Sequence, residues 1–200
     1  MNKLKLKLIT LFFITAGFAL EVGYTQEINF SEYHSYTITL TNVNLDDLLF
    51  EGPITSGSGQ HSVELADALA LEIEGVKFLD VLVDITQISG GGYLTLDGQE
   101  TTDEDKRIPF TLEAAYANRG NNNIADAKLM TVASNNASER FPILARLSQA
   151  PGPPPPPPTA NFNQAAVNET AYIYLYGSIN VGNVMAGTYS GDIQITVEYQ

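Results

Sequence analysis

Ala171-Tyr172-Ile173-Tyr174-Leu175-Tyr176 and Ile193-Gln194-Ile195-Thr196-Val197-Glu198-Tyr199 decide how this chain is read. In the second stretch Ile193, Ile195, Val197 and Tyr199 share one face, and Asp192, Gln194, Thr196 and Glu198 share the other. That period of two is what a strand needs when one face packs on a core and the other meets water. The first stretch is apolar on both sides, with Tyr172, Tyr174 and Tyr176 opposite Ile173 and Leu175. The tyrosines are either an aromatic platform for a sugar or a partner, or core beneath a second covering layer. Apolar residues on both faces favour the core reading and a central strand. Gly177 bounds the first strand and Gly191 precedes the second, so the sequence reads as two strands joined through a glycine-rich turn.

Further upstream, the same alternation recurs in short runs. Tyr36, Ile38 and Leu40 alternate with threonines, a β-branched strand pattern. Residues 65–74 contain helix formers, but Leu65, Leu69, Leu71 and Ile73 also fit one strand face with Glu72 and Glu74 outward, and strand is the preferred reading. Leu79, Val81, Val83 and Ile85 point inward from another strand, with Asp80 and Asp84 outward. Tyr93–Leu96, ended by the turn pair Asp97-Gly98, and Ile108–Tyr116 follow. The polar run Asn118–Asn123 reads as an exposed loop, and strands near Met130–Ala133 and Phe141–Leu147 complete the set. Short alternating strands separated by Gly and Asn clusters define the expected fold class: all-β, a single immunoglobulin-like, pilin-like antiparallel β-sandwich.

Three motifs carry a family resemblance. The run Gly177–Gly191 ends in Ala186-Gly187-Thr188-Tyr189-Ser190-Gly191 and leads into the terminal alternating strand. Glu74-Gly75 followed by Asp80-Val81 fits E-G-x-x-x-x-D-V. Leu48-Leu49-Phe50-Glu51-Gly52 matches L-x-F-G with Glu51 inserted. Together they resemble the DUF4402 family and its spore-coat U and pilin-like relatives, in pieces from Tyr36 to Tyr199, and the C-terminal piece is the specific one. The resemblance implies a secreted sandwich that lacks its final strand and receives one from a partner by β-strand addition. Ile193, Ile195, Val197 and Tyr199 are then the candidate strand-addition edge, since no further strand follows them. Gln26–Ser35, where Ile28 and Phe30 alternate with polar residues, is the candidate donor segment.

Lys3, Lys5 and Lys7 precede an apolar run from Leu8 to Leu20, the order of a secretory signal peptide assigned to residues 1–25. The run falls short of the ~20 apolar residues of a spanning helix. Residues 26–200 then form one sandwich domain, with Pro153–Pro158 in a stiff polyproline loop at residues 151–158. Too few residues follow that loop to build a second core. The chain has no cysteine, so packing alone must stabilise it.

A formal charge of −13, from 23 acidic against 10 basic side chains, excludes nucleic acid, whose phosphates need clustered cations. Asp97, Glu100, Asp103, Glu104 and Asp105 lack the spacing of an EF-hand loop and read as hydrated carboxylates. The two histidines, His34 and His61, sit in no metal-binding or triad context, and no G-x-S-x-G elbow occurs. The expected protein is therefore non-enzymatic, without cofactor or metal. It would be secreted to the periplasm or to a bacterial cell surface. There it is a structural subunit with a protein partner, or one that self-assembles.

The alternative class is an adhesin or carbohydrate-binding module that holds a surface glycan in the Gly90–Gly92, Asn118–Asn123 and proline loops. A membrane β-barrel is disfavoured. Its strands would need ~9 to 11 residues with an apolar outer band, whereas these are shorter and carry Asp, Glu and Gln on the second face.

Overall fold

The computed structural model describes residues 37–43, 45–87, 91–145 and 167–200, all within one compact unit, Tyr36–Gln200. The strands are β1 (Thr39–Asn42), β2 (Gly59–Val63), β3 (Leu69–Val76), β4 (Asp80–Gln87), β5 (Tyr93–Leu96) and β6 (Arg107–Ala117). They continue as β7 (Lys128–Leu129), β8 (Thr131–Ala133), β9 (Asn136–Pro142), β10 (Asn168–Val181), β11 (Tyr189–Ser190) and β12 (Ile193–Tyr199). An eight-stranded sheet runs in the order β1-β3-β10-β6-β5-β11, with β2 also on β10 and β7 also on β6. A four-stranded sheet runs in the order β12-β4-β9-β8. Every pairing is antiparallel, and the molecule is a β-sandwich.

The sheets pack through the faces that alternation assigns to the interior. Ile73 of β3, Val81, Val83 and Ile85 of β4, Phe141 of β9 and Ile173 of β10 lie in one buried cluster. Met130 carries the chain from β7 in the larger sheet to β8 in the smaller, with its N–H donating to the Ala114 carbonyl at 2.9 Å. Tyr116 and Phe141 stack across the interior at 4.2 Å between ring centres.

β10 is the centre of the larger sheet, and from Ala171 to Gly177 every residue is buried. Its odd-numbered side chains enter the inter-sheet core, while Tyr172, Tyr174 and Tyr176 enter a second cluster with Ala70, Ala115 and Ala117. The tyrosine stripe is thus core and no platform: Tyr174 is 1% exposed. Each buried phenol must place its polar end. Tyr172 donates to Glu72 Oε2 at 2.7 Å, and Tyr174 donates to Asn122 Oδ1 at 2.8 Å. Part of the cover comes from a break between β2 and β3. Val63 faces Gly177 and Leu69 faces Leu175, so residues 64–68 are left opposite Tyr176. They fold as a 3-10 turn, Leu65–Asp67, which lays Leu65 against the tyrosines.

Several sequence expectations are corrected. Gly177 does not end the strand: β10 continues through it to Val181. The two C-terminal strands form no hairpin, because β10 lies in one sheet and β12 in the other. Alternation fixes a strand's faces, but not which sheet it joins. Leu65 belongs to the outer cluster, on the face opposite Leu71 and Ile73. The ninth strand is Asn136–Pro142 instead of 141–147, closing at a proline that has no N–H for the ladder. The first begins at Thr39. The signal peptide, the donor residues Ile28 and Phe30, and the proline loop lie outside the described residues.

Gly177 has φ +154°, and a Cβ there would overlap the carbonyl oxygen of Thr111 on β6. That backbone cannot retreat without breaking the central ladder. Gly177→Ala should therefore cost about 2–4 kcal/mol, measured as a lower urea midpoint with unchanged slope. A variant as stable as the parent would show that the two strands do not approach this closely.

Candidate functional site

β12 is an edge strand. It pairs with β4 on one side, and among the described residues no strand pairs with it on the other. The register matches Tyr199 with Val81, and Gln200 N–H donates to the Asp80 carbonyl at 3.0 Å. In an antiparallel ladder, residues that exchange hydrogen bonds alternate with residues that do not. Gln200 belongs to the bonded set, so Glu198, Thr196 and Gln194 bond to β4. The backbone N–H and C=O groups of Ile193, Ile195, Val197 and Tyr199 therefore point away from it. All four candidate edge residues thus turn their side chains to the core and their backbone polar groups to the open edge.

Beside this edge lies a cavity of about 960 Å³, at the upper end of the ~300–1,000 Å³ range of ligand sites. Its apolar floor is the inner face of the larger sheet, including Leu71, Phe110, Leu175 and Ile179. Ile193 and Ile195 of β12 form one wall, and residues 46–50 and 54–56 of the β1–β2 connection form another.

That connection behaves as a strap. At one end Leu45 N–H donates to Asn42 Oδ1 at 3.1 Å, and Asn42 Nδ2 donates to the Asp46 carbonyl at 2.8 Å. At the other, Gly57 N–H donates to the Gly182 carbonyl at 2.7 Å, and Val184 N–H donates to Ser56 Oγ at 2.9 Å. Between these ties it joins no strand, and only Leu48, Phe50 and Ile54 hold it against the core. Phe50 meets Phe110 edge-on at 6.2 Å. Leu45 and Leu49 remain exposed. The L-x-F element was legible as a motif, but nothing in the sequence showed that it lines a cavity.

At its far end β12 is latched to the larger sheet. Val76 N–H donates to the Tyr199 hydroxyl at 2.9 Å, and that hydroxyl donates to the Thr37 carbonyl at 3.2 Å. The latch needs the glycine of Glu74-Gly75, because a Cβ on Gly75 would sit 2.8 Å from the Tyr199 oxygen. Burial pushes the Tyr199 phenol above its ordinary value, partly offset by the Val76 bond.

Other candidate chemistry resolves into local structure. Ser58 Oγ lies 2.7 Å from His61 Nε2, a contact within one exposed turn. In the acidic loop, Lys106 bonds Asp103 at 2.6 Å, and that bond holds the Asp103 carboxyl below its ordinary range. Among the described residues no three His, Cys, Asp or Glu side chains gather as a metal site. The 118–123 loop is exposed at Arg119, Asn121 and Asn122, as its polarity suggests, but it also bonds inward. Asn118 is buried and donates to the Pro142 carbonyl, Asn122 receives Tyr174, and Asn123 caps the turn Ile124–Asp126. No helix among the described residues is long and apolar enough to cross a membrane.

The fold and this edge define a two-sheet β-sandwich with an open, cleft-bordering strand. No family model matches the chain, and no curated protein matches it. A solved structure, from work on a chaperone-tip adhesin complex vital for synergistic activation of CFA/I fimbriae biogenesis, is similar at 13% identity and a TM-score of 0.38. The match covers 82% of this chain and 42% of that one, so the chain spans less than half the length of its neighbour.

Tyr199→Phe leaves the Val76 N–H without its acceptor and should lower stability by about 1–2 kcal/mol in urea unfolding. An unchanged midpoint would mean that the latch holds nothing. The phenols of Tyr116, Tyr172, Tyr174, Tyr176, Tyr189 and Tyr199 are all raised, with burial the first cause in each. A raised folded value means that the native state keeps protons the unfolded chain has already lost. That contribution is complete below the unfolded value of ~10 and is lost as pH rises through the folded values. Circular dichroism and the ionisation of these six phenols, followed residue by residue by NMR, should therefore change together above about pH 10, with the fold intact at neutral pH. Ionisation of these six at the free-phenol midpoint before any unfolding would contradict this.

Proposed function

We propose that this is a non-enzymatic structural protein, secreted to the periplasm or surface of a bacterium, that enters an extracellular assembly by accepting a β-strand along β12. The carrying observation is the alternation on that strand. Among the described residues, the outward ladder groups of Ile193, Ile195, Val197 and Tyr199 meet no other strand, and they border a cavity with an apolar floor and room for side chains. An added strand would bond to the edge through its backbone and set alternate side chains into the cleft. The DUF4402-like motifs support the same reading, since Gly75 admits the Tyr199 latch and Leu48 and Phe50 line the cleft wall. The donor is either Gln26–Ser35 of another copy, through Ile28 and Phe30, or a segment of a different protein. The glycan-binding alternative is weaker, because three of the four amides in the 118–123 loop make internal bonds.

Hydrogen exchange tests the edge directly. In the isolated protein the amides of Ile195 and Val197 should exchange far faster than that of Thr196, and should become protected in the surface-assembled form. Equal protection of all three in the isolated protein would remove the reading. Substitution separates the same two sets. Val197→Pro removes an outward N–H and trims a half-buried side chain but leaves every ladder bond to β4, so the fold should persist with reduced stability while assembly is lost. Thr196→Pro removes a ladder donor to β4 and should unfold the smaller sheet.

A further inference from the structure

The cleft carries a charge signature that the open edge alone does not explain. Asp46, Asp47 and Asp192 line it, and among the described residues no Lys or Arg does. Asp46 and Asp47 are exposed on the strap, and neither takes part in a salt bridge among the described residues. At the opposite wall, Tyr189 donates to the carbonyls of Met185 and Asp105 at 2.9 and 3.2 Å. Its phenol is raised by burial first and then by the charges of Asp105 and Asp97. The exposed carboxylates of Asp46 and Asp47 thus stand beside a trough with an apolar floor, so the potential over the strap side of its mouth is negative.

We infer that the strand accepted at β12 comes from a different protein and is an extended segment with alternating apolar side chains flanked by Lys or Arg. This rests on the strand-addition reading and decides between its two sources. Residues 26–35 carry Glu27 and Glu32 and no Lys or Arg, so a second copy would bring two carboxylates toward Asp46 and Asp47. Like charges brought together oppose docking, whereas opposite charges speed encounter and fix register. Apolar side chains at alternate positions would fill the space above Leu71 and Phe110. The basic flanks would lie at the mouth, near the strap.

Three ten-residue peptides test this against the full chain, with binding read by fluorescence anisotropy. One alternates isoleucine and threonine between paired lysines, the second has the same centre between paired glutamates, and the third is residues 26–35. The lysine-flanked peptide should bind about tenfold more tightly than the glutamate-flanked one at low salt, with the gap closing as salt rises. It should protect the Ile195 and Val197 amides from exchange. Asp46→Asn together with Asp47→Asn should weaken it roughly three- to tenfold and leave the glutamate-flanked peptide no weaker. Binding of the glutamate-flanked peptide or of residues 26–35 as tightly as the lysine-flanked one would overturn the inference and leave strand addition standing. If no peptide protects the β12 amides, strand addition at this edge fails, and the inference fails with it.

Discussion

Everything in this sandwich is arranged around a strand that is buried on both faces. β10 bonds to β2 and β3 along one side and to β6 along the other, so its backbone is satisfied by neighbours before any side chain is placed. Where such a strand is covered on both faces, from Ala171 to Gly177, it must be apolar throughout, unlike the half-wet strands at a sheet's rim. The chain meets the requirement with Ile and Leu toward the smaller sheet and with Tyr toward the other side. Tyrosine is costly to bury unless its hydroxyl finds a partner, and Glu72 and Asn122 supply two of those partners. Gly177 completes the arrangement by letting β6 come closer than any side chain would permit.

The width of the larger sheet then sets the shape of the cleft. Among the described residues the smaller sheet has four strands and ends at β12, while the inner face of the larger sheet supplies an apolar floor reaching from Leu71 on β3 to Leu94 on β5. Apolar surface left there would be exposed to water, at ~25 cal/mol for each Å². The strap covers part of it with Leu48, Phe50 and Ile54, and the Tyr199 latch pins the far end of β12. Neither device supplies the ladder bonds that a neighbouring strand would make.

Faces and periodicities were legible in the sequence, and partners in space were not. Ile193 to Tyr199 read correctly as a half-buried strand, because period two is a property of the strand itself. The same logic put Ile173 and Leu175 opposite the three tyrosines and gave that strand a central place. It failed at Gly177, where a glycine looks like punctuation but serves close packing, since only the position of Thr111 distinguishes the two. It failed again at Leu65, whose spacing fits the Leu71 face until the five-residue break in register turns it over. The polar 118–123 loop is exposed as read, at Arg119, Asn121 and Asn122. Three of its four amides also bond the Pro142 carbonyl, Tyr174 and a turn, so polarity reported bonding capacity as well as exposure. The core-facing set Ile193, Ile195, Val197 and Tyr199 was legible, but the direction of their backbone groups depends on which residues of β12 bond to β4, and that is a fact of register.

An unpaired strand beside an apolar cleft invites indiscriminate pairing, and natural sheets usually protect such edges with charge, brevity or cover. Here the protection is partial and of a particular kind. The strap lays Asp46 and Asp47 along the cleft and buries Leu48 and Phe50, yet it is tied down only at its ends. An incoming strand would give up none of the existing ladder, because β12 already bonds to β4 through its other residues. It would gain backbone bonds at the four outward positions and burial along the trough. A strand carrying acidic flanks, including the chain's own residues 26–35, would meet the carboxylates of the strap on the way in. On the proposed reading, the same aspartates would keep the edge from pairing with copies of itself and would draw in a basic partner, so that protection and selectivity would arise from one set of charges.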